Sequence, residues 1–282
     1  MVKIIADSTC DLSPELKQQY DVDIIPLHII LGDQDFEDGK GIFPDDLFKW
    51  SDANKQTPKT SACSIEQAAA TFKPYVDQGM EIVCFSISAK MSTTINALRL
   101  AAAELNAEDK VFVIDSANLS TGIGLQVIEA AILAKEGKSA AEIVHHIEKI
   151  KPLVRASFVV DTLTYLHRGG RCSGVAALMG STLKLHPQIV VENGKMGPSK
   201  KYRGKMSRVI LSYAQEMEEA LKNARADRVF ITHSGCEESD IQAVREYLES
   251  LHHFKEILIT RAGCVISSHC GPGTLGVLYI AQ

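Results

Sequence analysis

The chain has 282 residues, 45% of them hydrophobic, enough for one large domain or two lobes with cores of their own. A formal net charge of -5 and an isoelectric point near 6.0 give no basic footprint for nucleic acid or an anionic membrane, so small molecules and other proteins are the expected partners. Seven cysteines without a C-x-x-C pair argue against a disulfide framework and a zinc site, and no window approaches the ~18 apolar residues of a membrane span. With no signal-peptide pattern in MVKIIADSTC, the expectation is a soluble cytoplasmic protein.

Short runs rich in Val, Ile and Phe recur along the chain: VKIIA at 2–6, VDIIPLHII at 22–30, EIVCFSI at 81–87, KVFVI at 110–114, SFVV at 157–160, RVFIT at 228–232 and EILIT at 256–260. They read as buried strands. Amphipathic stretches between them start on Ser13-Pro14-Glu15, Ser64-x-x-Gln67 and Ser139-x-x-Glu142, and Gly137 ends one of them. Alternating strands and helices imply an α/β architecture, with a change of pattern near 150–156 that divides residues 1–155 from 156–282. The two halves are expected to pack intimately, because no Gly/Ser linker separates them.

Several strands run directly into small polar residues, as in Asp7-Ser8-Thr9, Ser88, Asp115-Ser116, Asp161-Thr162 and Thr232-His233-Ser234. Such residues either cap the next helix or form the polar rim of a ligand crevice. Lys59-Thr60-Ser61-Ala62-Cys63-Ser64 and Ser92-Thr93-Thr94 place hydroxyls ahead of helices, where N–H groups and the helix dipole favour an anion as well as a cap. HRGGR at 167–171 is a basic pair on a glycine hinge, either a solvated turn or an anion contact. The paired histidines 145–146 and 252–253 point to different helix faces and read as surface.

Near the end, HCGPGTLG contains Gly271-x-Gly273-x-x-Gly276, but Gln282 is too close for a dinucleotide-binding unit, and Pro272 removes an N–H. What remains is His269, after a strand-like CVISS, fixed by a glycine-proline turn. No phosphate loop, H-E-x-x-H or G-x-S-x-G motif is present. The enzyme alternative is a serine hydrolase using Ser92, His269 and a carboxylate such as Asp115. A carrier of another amphipathic anion is a third reading. The stripe Ile95, Leu98, Ala101, Ala102 and Leu105 is either plain core or the wall of a tunnel.

Eight segments in register resemble the DegV family of bacterial fatty-acid-binding proteins, whose members include the lipid-presenting subunits of fatty acid kinase. They are KIIADSTCDL at the start, KTSACS at 59–64, SISAKMSTTINA at 86–97, FVIDSANLSTGIG at 112–124, DTLTYLHRGGR at 161–171, GSTLKLHP at 180–187, KYR at 201–203 and ISSHCGPGTLG at 266–276. The resemblance implies a two-lobed α/β module over about 3–281. It implies a parallel-rich N-terminal sheet with helices on both faces, a second α/β lobe, and a long-chain fatty acid buried between them. It implies that Thr60, Ser92 and His269 hold the carboxylate, with Ser61 and Thr94 as secondary head-group residues and Arg171 facing a kinase partner. By the same resemblance the chain is a non-catalytic carrier without a cofactor. An ATP-dependent kinase subunit makes the acyl phosphate for phospholipid metabolism, and lipid exchange involves transient contact with a membrane surface. Three positions depart from the family: Thr93 and Ser267 stand where glycine is usual, and His186 where lysine is usual. The first two are expected to crowd the head-group site, and with Thr93 the turn must either avoid positive φ or shift.

Overall fold

The computed structural model describes residues 1–172 and 185–282. In chain order its strands are β1 (Val2–Asp7), β2 (Val22–Ile25), β3 (His28–Leu31), β4 (Gln34–Glu37), β5 (Lys59–Ser61), β6 (Glu81–Ser86) and β7 (Val111–Asp115). They continue with β8 (Val154–Val159), β9 (Leu185–Glu192), β10 (Lys195–Arg203), β11 (Ala224–Ser234), β12 (Glu256–Arg261) and β13 (Thr274–Ala281). The helices are α1 (Pro14–Tyr20), α2 (Pro44–Asn54), α3 (Ile65–Asp77), α4 (Thr94–Glu104), α5 (Thr121–Lys135) and α6 (Ala140–Ile150). After the change of lobe come α7 (Thr164–Gly169), α8 (Met206–Gln215), α9 (Glu218–Lys222), α10 (Glu238–Ser250) and α11 (Cys264–Cys270).

The unbroken apolar runs form a parallel sheet of order β2-β1-β6-β7. Alternate residues supply two cores, as expected of strands covered on both faces. Ile4, Val83 and Phe85 face α5 and α6, whereas Ile5, Ile82 and Cys84 face α3 and α4. The second sheet, β10-β9-β8-β13-β11-β12, is antiparallel except for the β11–β12 pair. A small antiparallel sheet, β4-β3-β5, completes the fold. Pro26 divides VDIIPLHII between two sheets: β2 joins the parallel one and β3 the small one, since proline cannot donate within a continuous ladder.

Helix α5 explains why the halves behave as one body. Every residue from Thr121 to Ala131 is buried, because one side of the helix covers the parallel sheet and the other meets Phe158, Leu278 and Ile280 of the second sheet. A helix enclosed on all sides needs apolar character all round. Its one acid in that run, Glu129, is paired with Arg228 Nη1 at 2.6 Å and Arg225 Nη2 at 3.0 Å, which offsets the cost of burying the charge. The outer face of the second sheet packs on α8, α9 and α10. The 155/156 division falls two residues into β8, a strand of the second sheet.

The stripe on α4 is core: Leu98, Ala101 and Ala102 are buried against the parallel sheet, with Leu105 packed beside them. His146 and His253 are less exposed than a surface reading implies. His146 Nε2 lies 3.6 Å from Glu129, and His253 Nε2 makes a 2.8 Å hydrogen bond with the Ala224 carbonyl.

Candidate functional site

A cavity of about 530 Å³ opens between the inner face of the second sheet and the loops that follow the parallel strands. That volume is in the range of small-ligand sites. Phe158 and Leu278 line it from the sheet, and Leu27, Ile87, Met91 and Leu119 from the N-terminal half. Against these apolar walls stand Thr60, Ser61, Ser92, Thr93, Arg171 and His269, so five of the six expected site residues line one cavity. Among the described residues no group of three or more His, Cys, Asp or Glu side chains could hold a metal ion.

His269 sits in the last turn of α11, not after a strand. Val265 and Ile266 suggest a strand by composition, yet CVISSHC is helical and ends where Gly271 and Gly273 take φ of 78° and 71°. Both values lie in the region that glycine enters without steric cost. The Gly271 N–H donates to the Ser267 carbonyl at 2.9 Å, and Ser234 Oγ donates to the Gly271 carbonyl, so the turn holds the helix end from two directions. The imidazole Nε2 is 2.9 Å from Thr60 Oγ1, while buried Nδ1 has no hydrogen-bond partner among the described residues. Burial, with a smaller push from Arg171, lowers the His269 pKa to about 4, so the ring is neutral near pH 7. A neutral imidazole offers one N–H and one lone pair. It can join a hydroxyl and an anionic oxygen in one chain of hydrogen bonds.

Thr60 reaches this pair from β5, held in register by Ile29 of β3, and not from a helix start. The helix that follows is capped by Ser64, whose Oγ accepts from Gln67 N at 3.1 Å while its own N–H donates to Gln67 Oε1 at 2.9 Å. Ser61 also lines the cavity and is exposed. Ser92 precedes α4, and its Oγ accepts from Thr94 N at 3.2 Å and pairs with Thr94 Oγ1 at 2.8 Å. Thr94 itself is fully buried outside the cavity lining, so it supports Ser92 and does not face a ligand.

The loop carrying Ser92 is fixed from below by two carboxylates. Asp7 Oδ2 accepts from Ile87 N at 2.8 Å and Asp115 Oδ1 from Ala89 N at 3.1 Å. Burial raises the Asp7 pKa to about 6 despite the hydrogen bonds it accepts from Thr9 and Ile87. The polar residues at these two strand ends therefore shape the crevice from behind. Asp7, singled out in the sequence as either a cap or part of a crevice rim, caps the turn at Thr9 and braces the Ser92 loop from behind the cavity.

In HRGGR, Gly169 leaves room for a ring: a Cβ there would lie 2.4 Å from His269 Nδ1. Gly170 caps α7 at φ 66°, and the exposed Arg171 donates from Nη1 to the Gly169 carbonyl at 2.6 Å. Of the three departures, Thr93 lines the cavity at φ -90° and ψ 4°, so its turn avoids the conformation that would strain a β-branched residue. Ser267 does not crowd the site as expected. It is fully buried outside the cavity lining, and its Oγ donates to the Ala262 carbonyl at 3.2 Å. His186 is buried, with Nε2 3.1 Å from the Gly204 carbonyl and Nδ1 3.5 Å from Asp161. Residues 180–184 of GSTLKLHP lie outside the described residues.

A hydrolase triad does not form from these groups. His269 pairs with Thr60 and not with Ser92, its Nδ1 meets no carboxylate among the described residues, and Asp115 is committed to the Ala89 and Ala117 N–H groups. Nucleophile, base and orienting acid must be joined by hydrogen bonds.

A family model described as "Uncharacterised protein, DegV family" matches residues 1–282. The chain belongs to the DegV family. A DegV domain-containing protein of Deinococcus radiodurans is 33% identical over 277 residues, 98% of this chain and 97% of that one. A DegV family protein of Thermus thermophilus, described as fatty-acid-binding, superposes with a TM-score of 0.90 at 27% identity, covering 100% of this chain and 99% of that one. A stearic-acid-binding protein of Eubacterium ventriosum superposes with a TM-score of 0.86 at 27% identity, covering 100% and 98%. The DegV fold thus accounts for the two-lobed arrangement of sheets. No helix among the described residues is long and apolar enough to cross a membrane.

Proposed function

We propose that this DegV protein is a carrier that binds one long-chain fatty acid in the cavity between its lobes. Thr60, Ser92 and His269 hold the carboxylate, and Arg171 stands on the exposed side of the head group. The observation that carries the reading is the Thr60–His269 pair, set in the wall of a largely apolar cavity of about 530 Å³. An acyl chain gains roughly 0.8 kcal/mol for each CH₂ removed from water, so the tail supplies the driving force. The carboxylate opposes burial and costs several kcal/mol without hydrogen bonds. Two hydroxyls and a neutral imidazole offset that cost without themselves being charged.

In the same reading the protein works in the cytoplasm, exchanges lipid by transient contact with a membrane surface, and needs no cofactor. A separate ATP-dependent kinase phosphorylates the presented carboxylate to the acyl phosphate. The exposed Arg171 guanidinium suits a group whose negative charge grows on phosphorylation.

Native mass spectrometry of the purified protein, followed by organic extraction, tests the carrier. One added mass matching a long-chain fatty acid is expected. A protein that is empty and refuses added fatty acids would sink the proposal.

A further inference from the structure

Helix α11 belongs by sequence to the second lobe, yet its first two N–H groups are held by acids of the first. Gly263 N donates to Asp11 Oδ1 at 2.8 Å, and Cys264 N donates to Asp38 Oδ1 at 2.8 Å. The second oxygen of each acid is also tied down. Asp11 Oδ2 accepts from Ser120 Oγ at 2.6 Å, and Asp38 Oδ2 from Ser8 Oγ at 2.9 Å, while Ser8 Oγ accepts from Leu27 N at 3.1 Å. Both carboxyls are buried, at 5% and 7% exposure, and both close on one point: a Cβ on Gly263 would lie 3.1 Å from each Asp38 oxygen and 3.3 Å from Asp11 Oδ1. His269 follows Gly263 by less than two helical turns. The short helix thus connects its two gripped N–H groups to the imidazole, whose far side is held by the Gly271 turn.

We infer that Asp11 and Asp38 are positioning residues for the head-group histidine, gripping α11 by its first turn and so setting where the His269 ring meets Thr60. The inference rests on the reading of His269 as a carboxylate ligand. The grip is one of hydrogen-bond geometry and not of net charge: burial raises the Asp11 pKa to about 8, with Asp38 and Asp7 pushing the same way, and burial raises Asp38 as well. Two acids held this close at one helix start are tolerated because the N–H groups and hydroxyls they meet all donate to them.

The test uses Asp11→Ala, Asp38→Ala and the double variant, with Asp11→Asn and Asp38→Asn as conservative controls that keep an acceptor oxygen. The first readout is the ¹³Cε1 titration of His269 in ligand-free protein. The second is the ratio of affinities for a saturated long-chain fatty acid and for the alcohol of equal chain length. The alanine variants are expected to move the His269 midpoint from about 4 toward its ordinary 6.5. They should weaken acid binding ~10-fold or more while alcohol binding changes by less than about twofold, with the asparagine variants near wild type.

Folded alanine variants with a wild-type titration and a wild-type acid-to-alcohol ratio would overturn the inference. An equal loss of acid and alcohol would do so too, since it would place the acids in support of the tail tunnel or of the fold. If the wild type binds neither lipid, the carrier reading fails, while a shifted His269 titration would still uphold the positioning role. Should the alanine variants not fold, Ser8→Ala leaves both acids in place but frees Asp38 Oδ2, and an unmoved His269 midpoint there would count against the grip.

Discussion

The imidazole of His269 fills the space that a side chain at Gly169 would need, with Nδ1 2.4 Å from where a Cβ would stand. Gly169 closes α7 without a positive φ, so its backbone raises no objection to alanine. At an ordinary helical site that change stabilises by roughly 0.5–1 kcal/mol. Here the contact decides the sign, because the ring must move and its Nε2 must leave Thr60. Gly169→Ala is expected to lower stability by about 1–3 kcal/mol and to weaken fatty-acid binding. Thermal unfolding and a lipid titration check both, and a variant more stable than wild type would mean that the ring has another place to go.

Thr60 and Ser92 are predicted to act on the head group in different ways. Each loses one donor to the carboxylate on replacement by alanine, which weakens binding by roughly 1–3 kcal/mol. Thr60→Ala also strips His269 Nε2 of its partner, whereas Ser92→Ala deprives the fully buried Thr94 hydroxyl and N–H of theirs. Thr60→Ser should restore binding and Thr60→Val should not. Wild-type affinity in both alanine variants would remove the carboxylate assignment.

Much of this arrangement was legible in the sequence, and the failures have physical causes. The parallel strands stand out as apolar runs because both of their faces are covered. The strands β9 and β10 escaped notice because LHPQIVVE and KMGPSKKYR carry proline and polar residues. Helix α11 reads as a strand from Val265 and Ile266, since β-branched residues favour strands unless tertiary contacts overrule them. Thr60 and His269 were each visible as candidates, yet their pairing joins positions 209 residues apart, which no local pattern encodes. The same holds for Asp11 and Asp38, whose partners at Gly263 and Cys264 become neighbours only when α11 crosses to the first lobe.

Arg171 should separate lipid binding from presentation. Its guanidinium is exposed and bonded to a backbone carbonyl, so Arg171→Ala takes no donor from the buried pair. Fatty-acid affinity is expected to change by less than about 1 kcal/mol, in line with an exposed charge. Phosphorylation of the bound lipid by a partner kinase should fall sharply, through lost electrostatic complementarity. Equal losses in the two assays would place the arginine inside the lipid site.

The pH dependence of stability gives a further check that needs no lipid. The His269 pKa is about 4 in the folded protein against an ordinary 6.5, so between these values the unfolded chain binds more protons than the native one. Stability then rises with pH across that window, and it is lost as pH falls from 6.5 toward 4. Asp7 and Asp11 act in the opposite sense. Their folded values, about 6 and about 8, lie above the ordinary 3.8, so their contribution is fully present below 3.8 and fades as pH rises through the folded values. Comparing wild type with His269→Asn at each pH isolates the histidine from these acids. In ligand-free protein the difference should be flat above pH 7 and turn against wild type by roughly 3 kcal/mol on passing from pH 6.5 to 4. A bound carboxylate beside the ring favours its charged form, so fatty acid should raise the His269 midpoint and shrink that difference. A flat difference across the whole acid range would mean that the ring is open to water and is not the enclosed partner of Thr60.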